Sequence, residues 1–303
     1  MIDEKLFQMR GLSLDRLRTF MSVAEAGGIA KAAGSDPVRQ SQFSRQIGEL
    51  ETYFGVELLK RNGKHLLVTE AGRQLAVVAR EQFSGLSDFA AFCRHLPRRY
   101  SLGAGDSLFH WVVVPRIGSL IKTLPEAIFV LKNLRSRDIA DQLLDSQLDF
   151  GILRQARVQA PLKGSILGDV RYSLFIPPAL WSPKWKKDPN AALKELPWAT
   201  LGTDGEFVEQ LQEAATKAKA SPNLRLLTES FPQAARAALT GQFAAILPAH
   251  AEADPLLRSL HRIDPPWMGK LHRQVVLAWN PRLMRIRAHS DEPLGLLKQI
   301  LIF

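Results

Sequence analysis

Cysteine is nearly absent from this 303-residue chain, where Cys93 stands alone. A single thiol excludes an intramolecular disulfide framework and any paired-cysteine metal or redox motif. Such cysteine usage suits a reducing compartment. Long apolar runs are missing too, and none approaches the roughly 20 residues that a membrane-spanning helix needs. The opening stretch MIDEKLFQMRGLSLDRL places acids early and has no apolar core, so no secretory signal is expected and a cytoplasmic location is. There is no HExxH, no GxSxG and no phosphate-binding Walker loop. The seven histidines are scattered without metal-ligand spacing. His250 and His261, for instance, have no partner at helical distance. No catalytic residue, metal site or cofactor is therefore expected. Internal repeats and low-complexity segments are also lacking.

What is present is an ordinary globular balance, with 46% hydrophobic and 23% charged residues. The length points to two or three domains, each able to bury a core without staples. The formal net charge is +10, which favours a polyanionic partner because Lys and Arg displace counterions from phosphates. Residues 1–99 carry 15 Lys/Arg against 11 Asp/Glu. Charge alone thus does not place a nucleic-acid contact there.

Periodicity is more informative. Leu14, Leu17, Phe20, Met21 and Ala24 share one helical face that ends at Gly27-Gly28. A short helix, Ile29 to Ala33, stops at Gly34. Asp36 and Pro37 read as a cap and a first-turn proline, or as a turn. The next helix puts Phe43, Ile47, Leu50 and Phe54 on one side and Gln40, Ser41, Gln42, Ser44 and Arg45 on the other. Leu58 to Val68 reads as a hairpin, with Asn62-Gly63 as the turn signal and Lys60, Arg61, Lys64 and His65 around it. Thr69 is a good N-cap for a long helix reaching about residue 95. Within that helix Ala76, Ala79, Phe83, Leu86, Ala90 and Cys93 alternate by three and four, either as a dimerisation seam or as one face of a core helix.

From Tyr100 onward, short apolar strands alternate with helices, which indicates an α/β fold. Strands are expected at 100–103, 128–131, 150–153, 172–176, 224–227, 244–247 and 275–279. Helices are expected at 139–144, 207–218 and 234–239. Pro97–Arg99 is the clearest linker candidate.

Three helices followed by a basic hairpin describe a winged helix-turn-helix. Its third helix must be apolar on one side for packing, and short and polar on the other to enter the major groove. Gln and Arg read base edges, whereas Ser and Lys more often hold phosphates. The DNA-contact candidates are therefore Arg39, Gln40, Ser41, Gln42, Ser44, Arg45, Arg61 and Lys64. The run from Ala26 to Gly72 resembles the DNA-binding region of LysR-type regulators. The resemblance rests on Gly27, Ala32-Ala33, Ser44-Arg45-Gln46-Ile47, Leu50-Glu51, Gly55, Leu58-Leu59, Arg61 and Thr69-Glu70-Ala71-Gly72. Asp36 and Pro37 depart from the family pattern before the recognition helix, as does Arg39-Gln40-Ser41 where Ser-Gln-Pro is usual. Leu59 stands where phenylalanine is common.

The resemblance continues more weakly to the C-terminus. It implies an N-terminal all-α winged helix-turn-helix with a linker helix, then a C-terminal α/β two-lobed effector domain similar to type 2 periplasmic binding proteins. The expected divisions are 1–69, 70–96 and 97–303, with lobe one at 98–168 and 275–303 and lobe two at 169–274. Crossover strands fall near 167–171 and 271–275. Family positions for an effector fall at Ser107, Ser136 and Arg154 in lobe one and at Thr203, Ser230 and Phe231 in lobe two. Leu148-Asp149-Phe150-Gly151-Ile152 resembles one family motif, and Gly241 to Pro248 resembles another with one glycine replaced by Gln242. Hydroxyls at helix N-termini beside an arginine suit an anionic ligand, although Asp106 opposes it. Ser107 and Ser136 have a second reading as helix caps.

The expected function is a DNA-binding transcriptional regulator modulated by a small-molecule effector. The alternative is a regulator with a degenerate effector domain that works through a protein partner or without ligand. Expected partners are double-stranded DNA, the effector and further copies of the chain as dimer or tetramer. The resemblance admits RNA polymerase as well, and no membrane.

Overall fold

A computed structural model describes residues 11–62, 65–202, 205–287 and 291–303. They divide into two compact units: 11–96 with the segments 144–147 and 282–287, and 97–143 with 148–281 and 291–303.

In the first unit, α1 (Leu14–Ala26) starts at Ser13, whose hydroxyl accepts from the Arg16 amide, and stops at Gly27, whose φ of 68° suits glycine. After α2 (Ile29–Ala33) comes α3 (Pro37–Phe54). Asp36 caps α3 by accepting from the Val38 and Arg39 amides, and Pro37 fills the first turn. Phe20, Val23, Ala33, Phe43, Ile47, Leu50, Leu58 and Ala76 form the core. A buried Leu, Ile or Phe there contributes about 1.5–3 kcal/mol.

Strands β1 (Leu59–Asn62) and β2 (His65–Val68) pair antiparallel as the wing. Asn62 pairs with His65, so it is the last ladder residue of β1 and not the first residue of the turn. Glu51 ties the wing to α3, its Oε1 accepting from the amides of Leu58 at 2.8 Å and Leu59 at 3.1 Å. Thr69 then caps α4 (Glu70–Cys93) by accepting from the Gly72 amide. A Cβ on Gly72 would lie 2.2 Å from the Leu58 carbonyl oxygen, which explains glycine at this place in the Thr-x-Ala-Gly run.

The two faces of α4 differ. Ala76 and Ala79 are buried within the unit. Farther along this helix Glu81 and Asp88 are buried as well. Arg287 grips Asp88 with two hydrogen bonds of 2.9 and 2.7 Å. Glu81 meets Arg282 at 2.8 Å and accepts from the Ser146 hydroxyl at 3.1 Å. Leu86, Phe89 and Phe92 remain exposed. The apolar alternation 76–79–83–86–90–93 therefore does not form one seam. Its first turns belong to the unit's own core, and the open stripe is centred on Leu86 and Phe89.

The second unit is α/β. Its elements run β3 (Arg98–Ala104), α5 (Asp106–Leu108), a π-helical turn (Phe109–Val113), α6 (Val114–Thr123), β4 (Ala127–Asn133), α7 (Ser136–Leu144), β5 (Phe150–Arg154) and β6 (Lys163–Ile176). There follow α8 (Lys184–Lys187), α9 (Pro189–Glu195), β7 (Trp198–Leu201), α10 (Gly205–Lys217), β8 (Leu224–Thr228), α11 (Phe231–Leu239) and β9 (Ala244–Pro248). Then come β10 (His261–Ile263) and β11 (His272–Trp279). Helix α12 (Pro281–Ile286) belongs to the first unit from Arg282 onward, and α13 (Asp291–Ile300) returns to the second. Strand order is β4-β3-β5-β11-β6-β9-β7-β8, with β10 on β6.

Parallel pairs β3–β4 and β3–β5 make one lobe, and β7–β8 and β7–β9 make the other. The 14-residue β6 serves both lobes, pairing with β11 along Lys163–Arg171 and with β9 from Tyr172 to Phe175. Arg98 already belongs to β3, its amide donating to the Glu126 carbonyl. Arg98 and Arg99 are thus strand residues and not linker. Asp149 pins β5 to β3 by accepting from the Ser101 amide at 2.7 Å and its hydroxyl at 2.8 Å. Gly151 has room for no Cβ, since Ile139 of α7 would lie 2.3 Å from it. Among the described residues, no helix is long and apolar enough to cross a membrane.

Candidate functional site

The first candidate surface is the outer side of α3. With Phe43, Ile47 and Leu50 turned inward, Arg39, Ser41, Gln42, Ser44 and Arg45 are exposed together. Arg45 is 75% exposed and lies 3.7 Å from Glu49, a pair too open to hold it. Arg39 sits over the Phe43 ring at 5.3 Å. Gln40 behaves differently, being half-buried with its amide donating to the Gly34 carbonyl at 2.9 Å. It fastens the turn between α2 and α3. Gln46 accepts from the Thr19 hydroxyl at 2.7 Å and so joins α1 to α3. Arg61 is exposed on β1, and Lys64 lies outside the described residues.

The second candidate is a cavity of about 690 Å³ in the α/β unit, inside the size range of small-molecule sites. Ser107, Ser136, Arg154, Ser230 and Phe231 all line it. Thr203 lies outside the described residues. Helices α7, α10 and α11 each begin at the cavity, through Ser136, Glu206 and Ser230–Phe231. The positive ends of their dipoles therefore converge on it. Ser136 accepts from the Arg154 amide at 3.4 Å. The N-cap position of α5 is Gly105, not Ser107. Five arginines, at 135, 137, 154, 157 and 273, face four carboxylates, at 106, 138, 206 and 229.

Three lining residues carry no signal in the sequence. Glu206 forms an ion pair with Arg154, so a carboxylate already occupies the arginine expected to meet the ligand. The Tyr172 ring lies 4.7 Å from that of Phe207 and 5.6 Å from that of Phe231, tilted against both. Arg273 lies over Phe207 at 5.5 Å and over Tyr172 at 6.0 Å. Glu206 and Arg154 are 52 residues apart, and Tyr172 and Arg273 lie farther apart still. No local spacing could join them. Among the described residues, no group of three or more His, Cys, Asp or Glu could hold a metal ion.

Residues 14–73 match the bacterial regulatory helix-turn-helix protein, lysR family, and residues 94–290 match the LysR substrate binding domain. The HTH-type transcriptional regulator YfeR of Shigella flexneri is 27% identical over 145 residues, which are 46% of this chain and 47% of YfeR. The matched stretches span about half to under two thirds of such curated relatives, from 47% to 63% of their length. A full-length OxyR variant from Pseudomonas aeruginosa shares the fold with a TM-score of 0.65 at 18% identity, over 97% of this chain and 96% of that one. Full-length CbnR in complex with its target DNA does so with a TM-score of 0.59 at 20% identity, over 92% of this chain and 100% of that one. The substrate-binding match alone spans more than half of the sequence, and the chain belongs to the LysR family of bacterial regulatory helix-turn-helix proteins.

Proposed function

We propose that this chain is a transcriptional regulator, not an enzyme, that binds operator DNA and whose operator affinity is set by a small anionic metabolite. In this reading Gln42 and Arg45 read base edges from the major groove, while Arg39, Ser41 and Ser44 hold the backbone. The wing contacts the backbone through Arg61 and Lys64, and Gln40 acts indirectly by fixing the turn. The reading is supported by an open polar face on α3 together with a cavity lined by helix N-termini in the same chain. The relatives are named transcriptional regulators, and CbnR is described with its target DNA.

In the cavity, Ser107, Ser136 and Ser230 offer hydroxyls and Phe231 and Tyr172 offer an apolar wall. Arg154 receives the ligand's carboxylate once Glu206 gives way. Glu206 thus acts as a stand-in anion that sets a threshold for binding. Two copies pair through the exposed stripe of α4, which would let two winged domains meet paired half-sites.

A thermal-shift panel of mono- and dicarboxylates and amino acids tests the reading, followed by anisotropy on selected genomic DNA with and without each hit. The expected result is at least one anionic hit that shifts the melting temperature and changes DNA affinity. Glu206→Gln should bind that hit about tenfold more tightly by removing the competitor, and Arg154→Gln should bind it more weakly. A panel without hits, or a hit indifferent to both substitutions, would remove the ligand from this cavity.

A further inference from the structure

The α/β unit holds a second cavity, of about 310 Å³, at the small end of the roughly 300–1,000 Å³ that ligand sites occupy. It shares no lining residue with the first. Trp111 and Val112 enter it from the π-helical turn, and Ala249, His250 and Ala253 from the 3-10 turn after β9. Phe303 closes one side. A π-helical turn costs hydrogen-bond geometry and recurs at functional sites. Here it carries Trp111 into the wall, where the indole N–H donates to Asp254 at 3.1 Å. The His250 ring meets Trp111 edge-on at 6.0 Å and Phe303 at 5.5 Å. Three rings thus bound the space, His250 meeting each of the other two in the edge-on arrangement that aromatic partners favour.

Two polar features are left over. His250 Nε2 is buried and has no hydrogen-bond partner among the described residues, an omission that costs about 1–3 kcal/mol unless something fills it. Burial and the nearby Arg116 keep this imidazole uncharged, its pKa lowered to about 4. Arg116 itself donates only to the Val112 carbonyl, at 2.9 Å, and has no acidic partner among the described residues. The other two charges on the wall, Arg262 and Glu252, pair with each other, and Arg262 also meets Asp264, which does not line the cavity. The wall therefore offers one cation without an acidic partner among the described residues, one neutral imidazole and two further aromatic rings.

We propose that this cavity is a second ligand site, for a small aromatic monocarboxylate whose ring lies among Trp111, His250 and Phe303 and whose carboxylate meets Arg116. One cation matches one carboxylate, and the rings match an aromatic body better than a polar one. A neutral amide would forfeit the charge-assisted bond to the guanidinium.

Calorimetric titration of the full chain with benzoate tests this, with benzamide as the uncharged counterpart. Benzoate should bind the wild type and Arg154→Gln alike, since Arg154 lies in the other cavity. It should bind about tenfold more weakly to Arg116→Gln, recover in part with Arg116→Lys, and be lost from Ala253→Phe, which fills the space from an exposed position. Melting temperatures identify which variants remain folded, and affinities are compared among those. No benzoate binding, binding that survives both Arg116→Gln and Ala253→Phe, or benzamide binding as tightly as benzoate would each overturn the proposal. Loss of benzoate only in Arg154→Gln would do so too, by placing it in the first cavity.

Discussion

The residues most legible in the sequence are those whose local geometry leaves little choice. Thr69 and Gly72 belong to one cap, and the glycine is required where the helix passes the Leu58 carbonyl. Asp149 and Gly151 anchor β5 and make room for Ile139. The polar face of α3 is legible because packing demands dictate its opposite side. On this face Arg45→Ala should weaken operator binding by about 1–3 kcal/mol and relax one operator position if the side chain reads a base. Anisotropy at matched salt measures this, and unchanged affinity would reassign Arg45 to solvent.

His250 is not legible in this way, because the burial of a lone histidine leaves no mark on the residues beside it. Its folded pKa of about 4 lies below the ordinary 6.5, chiefly through burial and then through Arg116. Between those values the unfolded chain binds a proton that the folded chain refuses. Stability therefore falls as pH falls through that window, by about 2–3 kcal/mol on reaching pH 4. Groups other than His250 that change charge in this window do so in wild type and in His250→Asn alike, so the difference between the two urea titrations isolates the histidine. Parallel pH profiles would show that His250 is not shielded.

At the scale of elements, α1, α2 and α3 are legible from caps and apolar periodicity, which agree with one another. The long helix is legible in extent but not in partnership. Its apolar positions serve two purposes, and a periodic pattern cannot say where one ends and the other begins. Ala76 and Ala79 pack inside the unit, while Glu81 and Asp88 look polar yet are buried against Arg282 and Arg287. Leu86 is 48% exposed. A charge there should leave the unit folded and repel a pairing helix. Leu86→Glu is thus expected to melt within a degree or two of wild type and to give a smaller species in light scattering. The wild-type oligomer persisting in that variant would exclude the stripe as the contact. Arg287→Met acts on the other face. It strands Asp88 without its partner, at a cost of about 3–5 kcal/mol, visible as a lower unfolding midpoint with oligomerisation otherwise unaltered.

At the scale of the whole molecule, the alternation of strands and helices after residue 100 is enough to indicate α/β architecture, while the sharing of β6 between two lobes depends on pairings that local patterns do not encode. The same limit applies to the cavity. The serines can be placed after strands from motif order, but Glu206, Arg273 and Tyr172 come together only through the fold. A ligand there can regulate DNA binding only if it binds two states of the protein unequally, and the coupling is reciprocal: operator DNA must change ligand affinity by the same factor that ligand changes operator affinity. Ser107→Ala and Ser136→Ala separate ligand contact from helix capping. Gly105 holds the cap position of α5, so Ser107→Ala should cost little stability, whereas Ser136→Ala also removes the acceptor of the Arg154 amide. In a reporter strain both variants should keep wild-type basal operator binding and lose about tenfold in sensitivity to inducer, the equivalent of one polar contact to a charged group. If dose–response curves of both variants overlie the wild type, the serines do not touch the ligand, and Arg154 with the α10 and α11 termini must carry recognition without them.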